Sequence, residues 1–144
     1  MEAGLLHLHN ALRWVILILL LASIFQAFTK KDSLKSTSLW LMIGSHTMLF
    51  IGLYQLIAGR YGWLTVQLPE GESVMSDKFY RFFLVEHPLM MIIAVVLITL
   101  ARGKAKISAF KPASWLLLIA LAVILAAMPW PFREIVGRPW FPGA

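Results

Sequence analysis

The sequence predicts an all-α fold: a four-helix transmembrane bundle, N-out and C-out, with an interfacial C-terminal tail. Three observations carry this. Of the 144 residues, 60% are hydrophobic and only 14% charged, and the mean hydropathy is +0.78; a soluble domain carries about 25% charged residues. Four apolar stretches, roughly 9–28, 38–59, 82–100 and 113–128, approach the ~20 residues that cross a ~30 Å hydrocarbon core. The basic residues also alternate between loops. Lys30, Lys31 and Lys35 follow the first stretch, and Arg102, Lys104, Lys106 and Lys111 follow the third, joined by Asp32 alone among the acids. Six basic and six acidic residues make up the rest of the chain. By the positive-inside rule those two loops are cytoplasmic and both termini lie outside. The net charge of +6 is therefore a topology signal, and no nucleic-acid partner is expected. Four spans with short connections predict a single membrane domain over residues 1–144, with helices at about 5–28, 38–59, 77–101 and 113–128.

The first helix is expected to begin ahead of its apolar core, in Leu5-Leu6-His7-Leu8-His9-Asn10-Ala11-Leu12-Arg13-Trp14. Met1-Glu2-Ala3-Gly4 lacks the basic start of a secretory signal, so the stretch reads as a retained helix. At 100° per residue His9 and Arg13 share a face, while His7 points about 200° from His9. Arg13 sits a turn inside the span, placed to snorkel or to answer an anion. In the second helix Ser38, Ser45, Gly52 and Gly59 recur every seven residues. That small-residue seam predicts close packing in a left-handed bundle, with His46, one residue off it, facing protein. The middle loop, Arg60 to about Ser76, is the longest connection. Ser76-Asp77 is the expected start of the third helix, with an acid at its positive end. Pro88 removes a backbone donor beside His87 and is expected to bend the helix there. The fourth helix follows Lys111-Pro112 and ends at Met128-Pro129. The tail, Trp130 to Gly143, is aromatic, basic and proline-rich, a composition that anchors at an interface.

The chemistry rests on four histidines. With no cysteine, disulfides, iron–sulfur ligation and thioether-linked haem are excluded. Walker, dinucleotide-binding, nucleophile-elbow and H-E-x-x-H motifs are absent too. Ionisable groups at bilayer depth face a bundle interior, a cofactor or an ion path, and imidazole is the commonest metal and haem-iron ligand. Counting from the outer interface at 1.5 Å per residue, His46 lies ~13 Å deep and His87 ~9 Å deep. This matched pair is the expected axial ligation for one haem b between helices 2 and 3, and the expected metal-ligand pair. His9, nearer the surface, replaces His46 only if the haem lies close to the interface. Arg13, Arg60 and Arg81 stand where propionates emerge. The alternative is that the histidines hydrogen-bond across the bundle, with Ser45, Thr47, Gln26 or Glu86 as partners, worth about 0.6–2 kcal/mol each. A zinc or copper site is a weaker reading, since it needs three or four converging ligands. Glu86 suits either proton and quinone chemistry or an ion pair with Arg13 or Arg81. The methionines read as packing.

Several motifs carry a resemblance: Leu6-His7-Leu8-His9-Asn10-Ala11-Leu12-Arg13-Trp14, Gly52-Leu53-Tyr54-Gln55, Arg81-Phe82 with Glu86-His87, Pro129-Trp130-Pro131-Phe132-Arg133, and Arg138-Pro139-Trp140-Phe141-Pro142. Over nearly its whole length the chain resembles small bacterial four-helix inner-membrane proteins commonly labelled cytochrome b-like. The resemblance implies haem b and electron transfer with quinol or a larger respiratory complex. It also implies the bacterial inner membrane, other membrane subunits or a homo-oligomer as partners, and candidate ligand roles for His9, His46 and His87. Better-understood dihaem membrane cytochromes pair two histidines on each of two helices; here no helix carries two at suitable depths, so one haem is expected. The rival expectation is a haem-free accessory subunit with structural histidines and a docking tail. A lone four-helix unit without repeats gives a transporter little support.

Overall fold

A computed structural model describes residues 2–141; Met1 and the last three residues, including Pro142 and Gly143 of the expected tail, lie outside the described part. The described residues form four principal helices and no strand: α1 (Glu2–Phe28), α2 (Leu34–Ala58), α3 (Lys78–Lys106) and α4 (Phe110–Ala127). All four are long and apolar enough to cross a membrane. All four reach past the expected limits at one end: α1, α2 and α4 start earlier and α3 ends later. α2 starts at Leu34, with the Thr37 hydroxyl donating to the Ser33 carbonyl (3.1 Å). α3 runs on through Lys104 and Lys106, cations that suit the negative end of its dipole. The turns after α1 and α3 use left-handed backbone at Lys30 (φ 53°) and Ser108 (φ 56°).

α1 packs against α2 and α4, and α3 packs against the same two. α1 and α3 are therefore the diagonal pair of the bundle. The half nearer the basic turns is filled solidly, with Leu20, Leu34, Leu41, Ile98 and Leu117 fully buried. α3 and α4 meet through Ala94, Ile98, Ala101 and Ala105 against Ala113, Leu117, Ala120 and Ile124. At that spacing of four and three, most of the residues are small, as close membrane packing favours. On α2, Ser38 and Ser45 of the predicted seam are buried, and Gly44 faces Ile16 of α1. In the other half, which holds both described termini, the seam meets a histidine: a Cβ on Gly52 would lie 3.5 Å from Cε1 of His9.

Asp77 caps α3, its carboxylate accepting from the Tyr80 amide (2.9 Å). Ahead of Pro88, where a bend is expected, the helix widens into a π turn over Phe82–Glu86, in which the His87 amide donates to the Phe82 carbonyl. Pro88 has no N–H to offer the preceding turn, and the widened turn inserts one residue just ahead of it. Such π turns recur at functional positions. Here it sets the angle at which His87 enters the bundle.

Helix ends in an apolar environment need partners for their last carbonyls, since water is not there to supply them. After α2 the chain folds back, so that the Trp63 and Leu64 amides donate to Leu56 and Ile57 (2.9 and 3.0 Å). After α4 the tail does the same with side chains. Trp130 Nε1 donates to Leu125 (2.8 Å), and Arg133 Nη1 donates to Ala126 and Met128 (3.5 and 3.2 Å). The tail then turns at Gly137, whose amide bonds to the Arg133 carbonyl (2.8 Å). A Cβ there would collide with the Arg133 carbonyl and lie 2.8 Å from that of Trp130. Gly137→Ala is accordingly expected to unseat the tail at a cost of about 1–3 kcal/mol. Thermal unfolding in detergent, with Trp140 fluorescence reporting the tail, measures it.

A histidine-lined cavity as candidate functional site

Seam glycines and a proline in place of bulkier residues leave space in one half of the bundle. A cavity of about 610 Å³ occupies the end that carries both described termini, and is lined by residues of all four helices, the middle loop and the tail. Its volume falls in the range of ligand sites, about 300–1,000 Å³. Ile16, Leu17, Met48, Leu49, Met91, Val95, Ile98 and Ile124 supply apolar walls. Among the described residues the titratable groups are His9 of α1, His87 of α3, Arg13, Arg60, Arg138, Tyr54 and Tyr61, with no Asp or Glu.

The two histidines come from the diagonal helices, so each reaches the same space from opposite sides of the bundle. His87 is oriented by α4: its Nδ1 donates to the Ala127 carbonyl at 2.9 Å. A carbonyl only accepts, so Nδ1 carries the proton and the neutral ring keeps its lone pair on Nε2. Tying one ring nitrogen to a backbone carbonyl is the usual way a ligating histidine is held. His9 Nδ1 is buried with no protein partner among the described residues.

Depth matching predicts His46 with His87, and the structure brings a different pair together. His46 does not line the cavity; its Nδ1 donates to the Met42 carbonyl of its own helix (2.8 Å). Counting residues puts His46 level with His87 but carries no information on facing. The small-residue seam turns Ser45 and Gly52 inward and leaves His46 off the cavity. His9, the alternative for a site near the interface, is on it, and His7 on the other face of α1 is exposed. Arg13 lines the cavity, its Nη2 donating to the Trp140 carbonyl (2.7 Å). Arg60 lines it too. Arg81 does not: its Nε pairs with Glu86 at 2.8 Å and its Nη1 bonds to the Met75 carbonyl. Glu86 is thus in one of the two ion pairs anticipated for it. Both border a separate cleft of about 350 Å³ with Lys78 and Arg133. Among the described residues no group of three or more His, Cys, Asp or Glu is placed to hold a metal ion.

A further arginine, Arg138, enters the site without a sequence signal of its own. Its guanidinium lies 5.3, 5.2 and 5.1 Å from the ring centroids of Tyr61, Phe79 and Phe83, an aromatic cage that holds a tail residue over the cavity. The i, i+4 spacing of Phe79 and Phe83 places them on one face of α3. Nothing local in the chain announces that Arg138 returns to them.

The donor set fits a b-type haem. It has two imidazoles on diagonal helices, one with its tautomer fixed, apolar walls for a flat macrocycle, and three arginines. No protein-family model, curated protein or solved structure matches the chain.

Proposed function

We propose that the cavity holds one b-type haem through His9 and His87, and that the protein transfers electrons with quinol or a larger respiratory complex of the bacterial inner membrane. The carrying observation is that these two histidines, from diagonal helices, line one cavity while the Ala127 carbonyl reserves Nε2 of His87 for a ligand. Haem, when bound, supplies a one-electron couple, tuned by its axial ligands and by burial. The chain's residues do the rest. α4 holds the His87 ring through Ala127, α1 presents His9 against the Gly52 gap, the apolar walls exclude water, and Arg13, Arg60 and Arg138 balance negative charge. The lysine-rich turns at the far end of the bundle support an outer-side position for the cavity.

The test is an absorption spectrum of the purified, dithionite-reduced protein. A sharp α-band and a Soret shift are expected. Both are expected to survive His46→Ala and to disappear in His9→Ala and His87→Ala. Absence of the bands in the wild type sinks the haem reading. A second reading, a haem-free accessory subunit, is favoured by one observation: His87 also satisfies an end carbonyl of α4, a sufficient structural role. Under it the variants change stability and no spectrum exists to lose.

A further inference from the structure

The cavity carries an unbalanced charge. Among the described residues three arginines line it and no carboxylate does. The only ion pairs among the described residues, Lys35–Asp32 and Arg81–Glu86, lie elsewhere. A partly buried cation without a counter-charge is costly, and cation–π contacts answer only part of that. The rings of the cage engage the Arg138 cation without accepting its N–H bonds in the manner of an oxygen. Its Nη2 is buried and without a protein acceptor among the described residues. Arg13 shows the same pattern independently: Nη2 is satisfied by Trp140, while Nε is buried without an acceptor. Two guanidinium groups, Arg13 held by the tail and Arg138 of the tail held by the aromatic cage, each with an unsatisfied N–H, stand at one largely apolar cavity.

We propose that Arg138 and Arg13 form a carboxylate-binding end of this cavity, so that its ligand is an amphipathic acid, with an apolar body among the bundle residues and its carboxylate at the tail. This rests on the cavity being a ligand site, but not on iron. Haem propionates and long-chain fatty acids share this chemistry. Charge-assisted hydrogen bonds from two such groups make the acid bind about tenfold to a hundredfold tighter than its ester.

The test uses the full chain, made in a host unable to synthesise haem and placed in nanodiscs. It is titrated with metal-free protoporphyrin IX and its dimethyl ester, and with a fluorescent polyene fatty acid and its methyl ester. Binding is read by fluorescence. A clear preference for an acid over its ester, abolished in Arg138→Gln while the ester still binds as in the wild type, supports the proposal. The unchanged ester affinity shows that the cavity survives the substitution. Preference for the fatty acid alone also supports it, and turns the ligand away from haem. Equal binding of acid and ester, loss of both in Arg138→Gln, or binding of neither pair overturns it. The reduced spectrum of protein from a haem-replete host decides the haem reading separately.

Discussion

His87→Ala is expected to remove the reduced α-band completely and to destabilise the bundle, while His87→Gln recovers stability without recovering the band. The two effects come from the two nitrogens of one ring. Nδ1 donates to the Ala127 carbonyl, one of the last four of α4, which has no helical partner. Deleting the imidazole leaves that buried acceptor open, at a cost of about 1–3 kcal/mol, and removes a ring that packs 5.9 Å from Phe82. A glutamine amide can donate to the same carbonyl, so part of the loss returns. It cannot replace the Nε2 lone pair as an iron ligand, so the spectrum does not. Thermal unfolding and dithionite-reduced spectra of the two variants, set beside His46→Ala, measure both effects. His46 bonds within its own helix, and its loss is expected to leave the band in place. If His87→Gln keeps a wild-type spectrum, His87 is no ligand and its role is to cap α4. If His46→Ala loses the band while His9→Ala keeps it, the depth-matched pair is right and the cavity pair is wrong.

Which of these features are legible in the sequence follows from the range over which each signal acts. Spans, the acid cap at Asp77, the seam of Ser38 and Ser45, and the irregular turn beside Pro88 are all local: length, spacing and one missing N–H determine them. The position of His9 opposite His7 is also local, since helical rotation alone separates them. The pairing of histidines is not. Depth along a helix follows from counting residues, but facing depends on how four helices are rotated together, and the glycine at position 52 decides that for His9. By composition the tail reads as an interfacial anchor, because Trp130, Arg133 and Arg138 all suit one. The bonds of Trp130 and Arg133 to carbonyls at the end of α4 reach back only five to seven residues, whereas the return of Arg138 to rings of α3 follows the turn at Gly137 and is a tertiary event. Depth alone assigns Arg81 to the cavity, whereas its ion pair with Glu86 holds it at the separate cleft.

The Pro129-Trp130-Pro131-Phe132-Arg133 motif then has a physical reason independent of any cofactor, and it predicts the second large effect. Arg133→Ala is expected to lower stability by about 2–4 kcal/mol, because it strips a charged donor from helix-end carbonyls and a cation from the face of an aromatic ring. Arg133 Nη1 reaches Ala126 and Met128, and its guanidinium lies 4.8 Å from the Phe82 centroid. One side chain thus closes the end of α4 and clamps it to the π turn that carries His87. Lysine keeps the charge but lacks the planar fork that does both at once, so Arg133→Lys is expected to recover less than half of the loss. Trp130→Phe, which removes one neutral donor from Leu125, is expected to cost only about 1 kcal/mol. Urea or thermal unfolding of the three variants in one detergent ranks them. Because the clamp orients α4 against α3, Arg133→Ala is also expected to loosen the Ala127 carbonyl from His87 and broaden any reduced band without abolishing it. An unfolding midpoint unchanged in Arg133→Ala would leave the tail as an interfacial anchor and detach it from the site.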